Sequence, residues 1–295
     1  MNRLFILAAA AILAVPAFAS TFIVTVAGLG GEPDYEARFA LLATDADKVL
    51  RTGPGADRVI ETLQGPAATK ARLTSTLNRV ISEAKPQDAF VLMMIGHGTF
   101  DGAEYKFNLP GPDISAPELA ALLNRIPATR QLVVDMTSAS GGAAAALKHA
   151  NRTIITATRS GAERNATVFA RFWVEALRDP VADTDKNGQV TALEAFHYAQ
   201  TKTTGFYTEQ KHLMTEHAQL DDQQRAGTFT LVRYGSATAE ITDPAKKQLV
   251  AKKEQIENQI DALKYQKDLM APDEYKRQIG ALLLELARTQ ELIEK

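Results

Sequence analysis

The sequence predicts an α/β domain: a mostly parallel sheet with helices on both faces, followed by a C-terminal αα-hairpin. Three observations carry this expectation. Short runs rich in β-branched residues alternate with stretches whose apolar residues recur every three or four positions, the pattern of parallel strands joined by crossover helices. Two runs, 88–95 and 131–136, are apolar almost throughout, as a strand covered on both faces requires. After about residue 234 the composition shifts to long, charged stretches with apolar positions at three- and four-residue steps, the spacing of paired helices.

The chain has 295 residues, a formal net charge of −2 and no cysteine. That balance argues against nucleic-acid binding, which needs a basic surface. The absence of cysteine excludes thiol nucleophiles, thiolate metal sites and disulfides. Residues 1–19 read as a secretory signal peptide: Arg3 supplies positive charge, 4–15 is apolar, and Ala17-Phe18-Ala19 fits a cleavage site. The apolar run is short for a membrane span. The expectation is a periplasmic or secreted protein of bacterial type that does not span the membrane after cleavage.

Along the chain, 21–27 alternates and reads as a strand. Gly28-Leu29-Gly30-Gly31 turns it into a helix from 33 to about 50, with Tyr35, Phe39, Leu42, Ala46 and Val49 on one face. The glycines lack the spacing of a dinucleotide fingerprint, since Pro33 stands at the third glycine position, so the segment is read as a tight βα turn. A strand is expected at 57–63, a helix at 69–84, a strand at 88–95 and a hairpin or lid at 101–109. Ser115 is placed to cap a helix with Pro117 in its first turn and Leu119, Leu122, Leu123 and Ile126 buried. A strand at 131–136, an alanine-rich helix at 140–149, a strand at 152–158 and a helix at 163–177 carrying Phe169, Phe172 and Trp173 follow. Residues 228–234 read as the last strand, 235–242 as a linker, and 244–270 and 272–294 as two helices. The domain boundaries are therefore 20–235 for the α/β domain and 243–295 for a coiled-coil-like hairpin. That hairpin would pack on itself or serve as an oligomerisation or docking arm.

Two buried runs end in chemistry. The first stops at His97-Gly98, the second at Asp135-Met136-Thr137-Ser138-Ala139-Ser140-Gly141. On neighbouring parallel strands these would share one carboxyl edge, where ligands of open α/β sheets bind. His97 would be a general base and the Gly98 N–H an oxyanion donor. A hydroxyl of Thr137, Ser138 or Ser140 would stand at the nucleophile's place.

The combination of strand–His-Gly with a second strand ending in Asp, a spacer and a Ser-Gly turn resembles the legumain branch of the caspase-like cysteine peptidases, which have the caspase–haemoglobinase fold. Residues 156–161 and 165–170 are similar to stretches of bacterial members, as is 216–222. The resemblance implies a caspase-like fold over about 21–234, His97 as base, Gly98 in the oxyanion hole, Asp135 in the specificity pocket, and Thr137 where the catalytic cysteine would be. It also aligns Asp34-Tyr35-Glu36 with the family's Asn-Tyr-Arg stretch, so that Glu36 would remove the pocket's cation. A threonine hydroxyl is far less acidic than a thiol and gains little from the same imidazole. Three readings result. The first is a catalytically inactive homologue that binds a peptide or protein. The second is an active hydrolase using a Ser or Thr hydroxyl with His97. The third is a structural envelope protein with a vestigial cleft.

A separate motif lies at 183–194. Asp183, Asp185 and Asn187 occupy positions 1, 3 and 5 of an EF-hand loop, Gly188 position 6, Gln189 position 7, Thr191 position 9 and Glu194 position 12. The expected ligand is a structural Ca²⁺. Asp179-Pro180 breaks the entering helix, so the loop is isolated rather than one of a sensor pair. His212, His217, Asp221 and Asp222 lack ligand spacing and read as polar loop residues.

Overall fold

A computed structural model describes residues 19–52, 58–234, 243–265 and 270–294. Residues 1–18 of the expected signal peptide and the expected linker at 235–242 lie outside the described residues.

In order, the domain contains β1 (Thr21–Ala27), α1 (Pro33–Thr52), β2 (Arg58–Leu63), α2 (Lys70–Glu83), β3 (Ala89–Ile95), β4 (Gly98–Phe100), β5 (Tyr105–Phe107), β6 (Ile114–Ser115), α3 (Ala116–Leu123) and β7 (Arg130–Asp135). It continues with α4 (Ala144–Leu147), β8 (Arg152–Thr156), α5 (Phe169–Ala176), β9 (Gln189–Thr191), α6 (Ala192–Glu209), β10 (Gln219–Leu220), α7 (Gln223–Ala226) and β11 (Thr230–Arg233). The helices α8 (Pro244–Tyr265) and α9 (Pro272–Glu294) follow.

Among the described residues the central sheet has six strands in the order β10-β8-β7-β3-β1-β2. All neighbours are parallel except the short edge strand β10. Every residue of β3 is buried, which accounts for its unbroken apolar run. Alternation divides the core. Val91, Met93, Ile95, Leu132 and Val134 face α1, α5 and α6, whereas Phe90, Leu92, Met94 and Val133 face α2 and α3. The fold class is thus α/β with a mostly parallel sheet and helices on both faces.

Local signals set several boundaries. Thr69 caps α2 by accepting from the Arg72 N–H, and Ser115 with Glu118 forms the capping box that starts α3. Two predicted helices come out shorter than their spacing suggests. The segment 163–168 is drawn into tertiary bonds: the Glu163 carbonyl accepts from the Ala139 N–H and the Thr167 hydroxyl donates to the Met136 carbonyl. The helix therefore starts at Phe169, its first N–H groups held by Glu216 from across the fold (Val168 N–H 2.7 Å, Phe169 N–H 3.1 Å). In 140–149, Ser140 and Gly141 are tied to Thr158, and a single 3₁₀ turn at Ser140–Gly142 precedes the four-residue α4. The strand at 230–233 does not join the central sheet but pairs with β9.

The helices α8 and α9 pack on each other, burying Ile256, Ile260, Leu263 and Thr289. Lys252 and Glu285 bridge them at 2.9 Å. Leu283, placed on the apolar stripe by spacing, is half exposed, as are Leu284 and Leu292.

At the amino edge of the sheet, Arg152 is 2 % exposed and meets no carboxylate in its hydrogen bonds. Its guanidinium donates to Gln131 Oε1 (3.0 Å), the Leu147 carbonyl and Asn124 Oδ1 (2.9 Å). Burial lowers its pKa to about 10. Gln131 in turn donates to the carbonyls of Leu123, Ile126 and Ala128. Neutral oxygens of Gln131, Leu147 and Asn124 thus take the place of a counterion. Arg152→Met is expected to destabilise the domain by roughly 3 kcal/mol, because two buried acceptors, Gln131 Oε1 and the Leu147 carbonyl, lose their donor. Arg152→Lys should recover only part of the loss. Chemical denaturation of the three proteins measures this.

Candidate functional site

The carboxyl ends of β3 and β7 lie side by side, since the two strands pair in parallel with Met94 opposite Asp135. The side chains beyond them separate. Alternation carries His97 to the same face as Met93 and Ile95, and its ring is wedged against Tyr35 (centroids 4.7 Å apart) and Phe39 (5.1 Å) of α1. Burial holds the imidazole pKa below its usual value, opposed by the nearby Glu32 and Glu36 carboxylates and by the Gly30 carbonyl. Glu36 itself accepts from the Gly30 N–H at 2.8 Å, closing the glycine turn. Gly28 is needed there for space: a Cβ would lie 2.4 Å from the Asn108 carbonyl oxygen.

Asp135 and Thr137 take the opposite face. The Thr137 hydroxyl donates to Asp135 Oδ1 at 2.7 Å and lies 2.7 Å from the Tyr105 hydroxyl. All three residues are 0–1 % exposed. Burial pushes the Asp135 carboxyl up to about 6, with the Thr137 and Tyr105 hydroxyls pulling the other way. Its second oxygen, Oδ2, has no hydrogen-bond partner among the described residues. Tyr105, whose own ionisation is suppressed by burial beside Asp135, was not marked out by the sequence. Nothing in its local spacing separates it from a packing aromatic.

Ser138, the next residue, turns back toward the His-Gly strand end. Its Oγ accepts from the Gly98 N–H and donates to the Gly98 carbonyl, each at 3.1 Å. Gly98 is packed tightly enough that a Cβ would stand 2.4 Å from Tyr105 Cε2 and 2.8 Å from Thr137 Oγ1. Ala139 then adopts φ +58°, and Ser140 is fully buried against Thr158. The structure therefore brings Ser138 to Gly98, and it brings Thr137 to Asp135 and Tyr105. No hydrogen bond joins His97 to any of these hydroxyls among the described contacts.

A loop at 157–168 covers the site's flank. Glu163 pairs with His217 at 2.6 Å and accepts from the Arg159 and His217 N–H groups. Glu216, 1 % exposed and raised in pKa by burial, caps α5. These anchors come from the polar stretch at 216–222, where Asp221 accepts from the Ile154 N–H and Asp222 caps α7.

In the acidic loop, a 3₁₀ turn at Pro180–Ala182 leads in where the entering helix is missing. Carboxylate oxygens of Asp183, Asp185 and Glu194 lie within 4.8 Å of one another. Gly188 turns the chain at φ +82°. The Asp183 carboxylate accepts from the N–H groups of Asn187 and Gly188, and Asn187 Oδ1 accepts from the Gln189 N–H. Thr191 and Glu194 form the capping box that starts α6. The short strand β9 finds its partner in β11 rather than in a second hand. The Tyr234 N–H donates to the Gly188 carbonyl at 2.7 Å.

No family's sequence profile matches the chain, and no curated protein matches it. Solved structures of similar fold include a protein from Geobacter sulfurreducens, at TM-score 0.42 and 14 % identity, covering 69 % of this chain and 92 % of that one. Caspase-1 from Spodoptera frugiperda matches at TM-score 0.47 and 12 % identity, covering 69 % and 86 %. The Drosophila initiator caspase Dronc matches at TM-score 0.41 and 10 % identity, covering 69 % and 79 %. These are likenesses of fold at low identity; they assign neither a family nor an activity. Among the described residues no helix is long and apolar enough to cross a membrane.

Asp135 gives the site a pH signature. Its folded pKa of about 6 lies above that of an unfolded Asp. The native state therefore holds the proton more tightly, and the associated stability is present below about pH 4 and lost as pH rises through about 6. The loss amounts to about 3 kcal/mol for a shift of this size. In the wild-type-minus-Asp135→Asn difference, denaturation free energies between about pH 4 and 7 should slope by that amount; a flat difference would contradict it.

Proposed function

We propose that this chain is a secreted, caspase-like homologue of the legumain-type peptidases that no longer cleaves, and that binds an extended peptide or protein segment at the carboxyl edge of its sheet. The observation that carries this reading is the engagement of both hydroxyls nearest the strand ends. Thr137 Oγ1 is buried beneath Tyr105 and bonded to Asp135 on the face away from His97. Ser138 Oγ is bonded to both polar atoms of Gly98, so the N–H that an oxyanion would need is already taken. A hydroxyl needs an adjacent base to become a nucleophile at neutral pH, and the His97 ring is held instead between Tyr35 and Phe39. The hairpin of α8 and α9 fits a docking or oligomerisation arm.

A second reading, a hydrolase with a serine nucleophile, is favoured by one contact: Ser138 Oγ sits on the residue next to His97. In that reading Ser138, rather than Thr137, is the hydroxyl at the nucleophile's place. A fluorophosphonate probe and a peptide-substrate library separate the two. The expected result is no labelling and no turnover. Labelling that disappears in both Ser138→Ala and His97→Ala would establish the hydrolase instead. Thr137→Cys is expected to restore nothing, since the new thiol would lie buried on the Tyr105 side.

The loop at 183–194 fits a hard cation. Its donors are all oxygens, from Asp183, Asp185, Asn187, Gln189, Thr191 and Glu194, with glycine at the turn position. Ca²⁺ there would supply structural charge neutralisation rather than chemistry. With Ca²⁺ at about 100 times its dissociation constant, unfolding free energy should rise by about 2.7 kcal/mol over an EGTA control. The Asp183→Asn/Glu194→Gln double variant should show no difference between the two conditions.

A further inference from the structure

We infer that Gly142 and Gly161 floor a slot for an aromatic side chain supplied by a bound peptide, and that Phe100 fills this slot in the free protein. The inference rests on the peptide-binding reading and names the side chain that reading would select.

Phe100 ends β4, opposite Tyr105 across the hairpin. Its ring lies directly on two backbones from different loops. A Cβ built on Gly161 would stand 2.3 Å from Phe100 Cγ and 2.5 Å from Cδ1, and one on Gly142 would stand 2.8 Å from Cδ2. Neither glycine has the positive φ that only glycine adopts readily. Their lack of a side chain therefore serves space, and the space is occupied by a phenyl ring. The two glycines also approach each other, with a Cβ on Gly142 only 3.2 Å from Gly161 Cα.

The slot stands where ligands of such sheets bind. Gly142 follows β7 and Gly161 follows β8, at the carboxyl edge of adjacent parallel strands. Its walls are fixed: the Gly141 N–H donates to Thr158 Oγ1 at 2.9 Å, and the 159–163 turn is anchored through Glu163 and His217. Its occupant packs against the core from a short hairpin strand. Phe100 is only partly buried and belongs to a three-residue strand whose turn, 101–103, is exposed. A flat cleft lined by peptide planes suits a planar ring, and Phe100 shows the fit. A peptide carrying an aromatic residue along the strand ends would compete with Phe100 for the same volume.

The test uses the full mature chain with Phe100→Ala and the probe N-acetyl-phenylalanine amide. The probe should raise the thermal midpoint of Phe100→Ala in a concentration-dependent way and shift the wild type far less. N-acetyl-alanine amide should do neither. Equal effects of the two amides, or none, would overturn the slot. Should Phe100→Ala not fold, Gly161→Ala in the wild-type background provides a second test. Its new methyl must expel the ring, so chymotrypsin should cleave after Phe100 faster than in the wild type; an unchanged digest overturns the inference. A peptide array separates the two claims. Bound peptides that need no aromatic residue and tolerate Gly161→Ala would sink the slot while leaving peptide binding intact. Filling of Phe100→Ala by the probe, with no array peptide bound by any variant, would support the slot and defeat the peptide-binding reading.

Discussion

Side chains along a strand alternate between faces, and the chemistry at this sheet's edge follows from that rule. With Met94 opposite Asp135 in a parallel pair, the strand ends of β3 and β7 are adjacent, yet His97 and Thr137 fall on opposite faces. One carries an imidazole packed into the α1 side of the core; the other carries a hydroxyl sealed under Tyr105. Adjacency in the sheet is not adjacency in the site. The residue that closes the gap is Ser138, one step further, which leaves the strand and clasps Gly98.

The polar groups buried around this edge tie its loops together. Unpaired polar atoms in the interior are costly, and here most find partners from distant loops. Glu216 caps α5, Glu163 holds both Arg159 and His217, and Thr158 ties down Ser140 and Gly141. Among the described residues Asp135 Oδ2 and Asn108 Oδ1 are exceptions without a partner, and Asp135 has an elevated pKa. At the opposite edge Arg152 and Gln131 do the same tying work with helix carbonyls. The sheet is thus fastened at both ends by side chains, with mostly distant partners at the carboxyl edge and near neighbours in sequence at the amino edge. The hairpin from β4 to β5 fits onto this frame, setting Tyr105 on Thr137 and Phe100 on the glycines.

The acidic loop solves a different problem. An isolated EF-hand-type loop lacks the partner strand that a second hand supplies. Here β11 takes that place, and Tyr234 bonds to the loop's turn glycine. The loop therefore anchors the last strand before the chain leaves for the helical hairpin, and this is why 230–233 sits outside the central sheet.

Much of this was legible in the residues alone. The order of strands and helices, the burial of 89–95, the capping box at Ser115 and the twelve-residue pattern from Asp183 each rest on local spacing, and local spacing is what a sequence carries openly. The helix starting at Phe169, the shortened 144–147 and the placement of 230–233 were not legible. Each is set by a bond to a residue 17 or more positions away: Glu216, Thr158 and the β9 strand. The same holds for the candidate site. The sequence named His97, Asp135, Thr137 and Ser138, because strand ends rich in small polar residues announce themselves. Which of them face one another, and that Tyr105 covers Thr137, followed only from the register and alternation of the folded sheet.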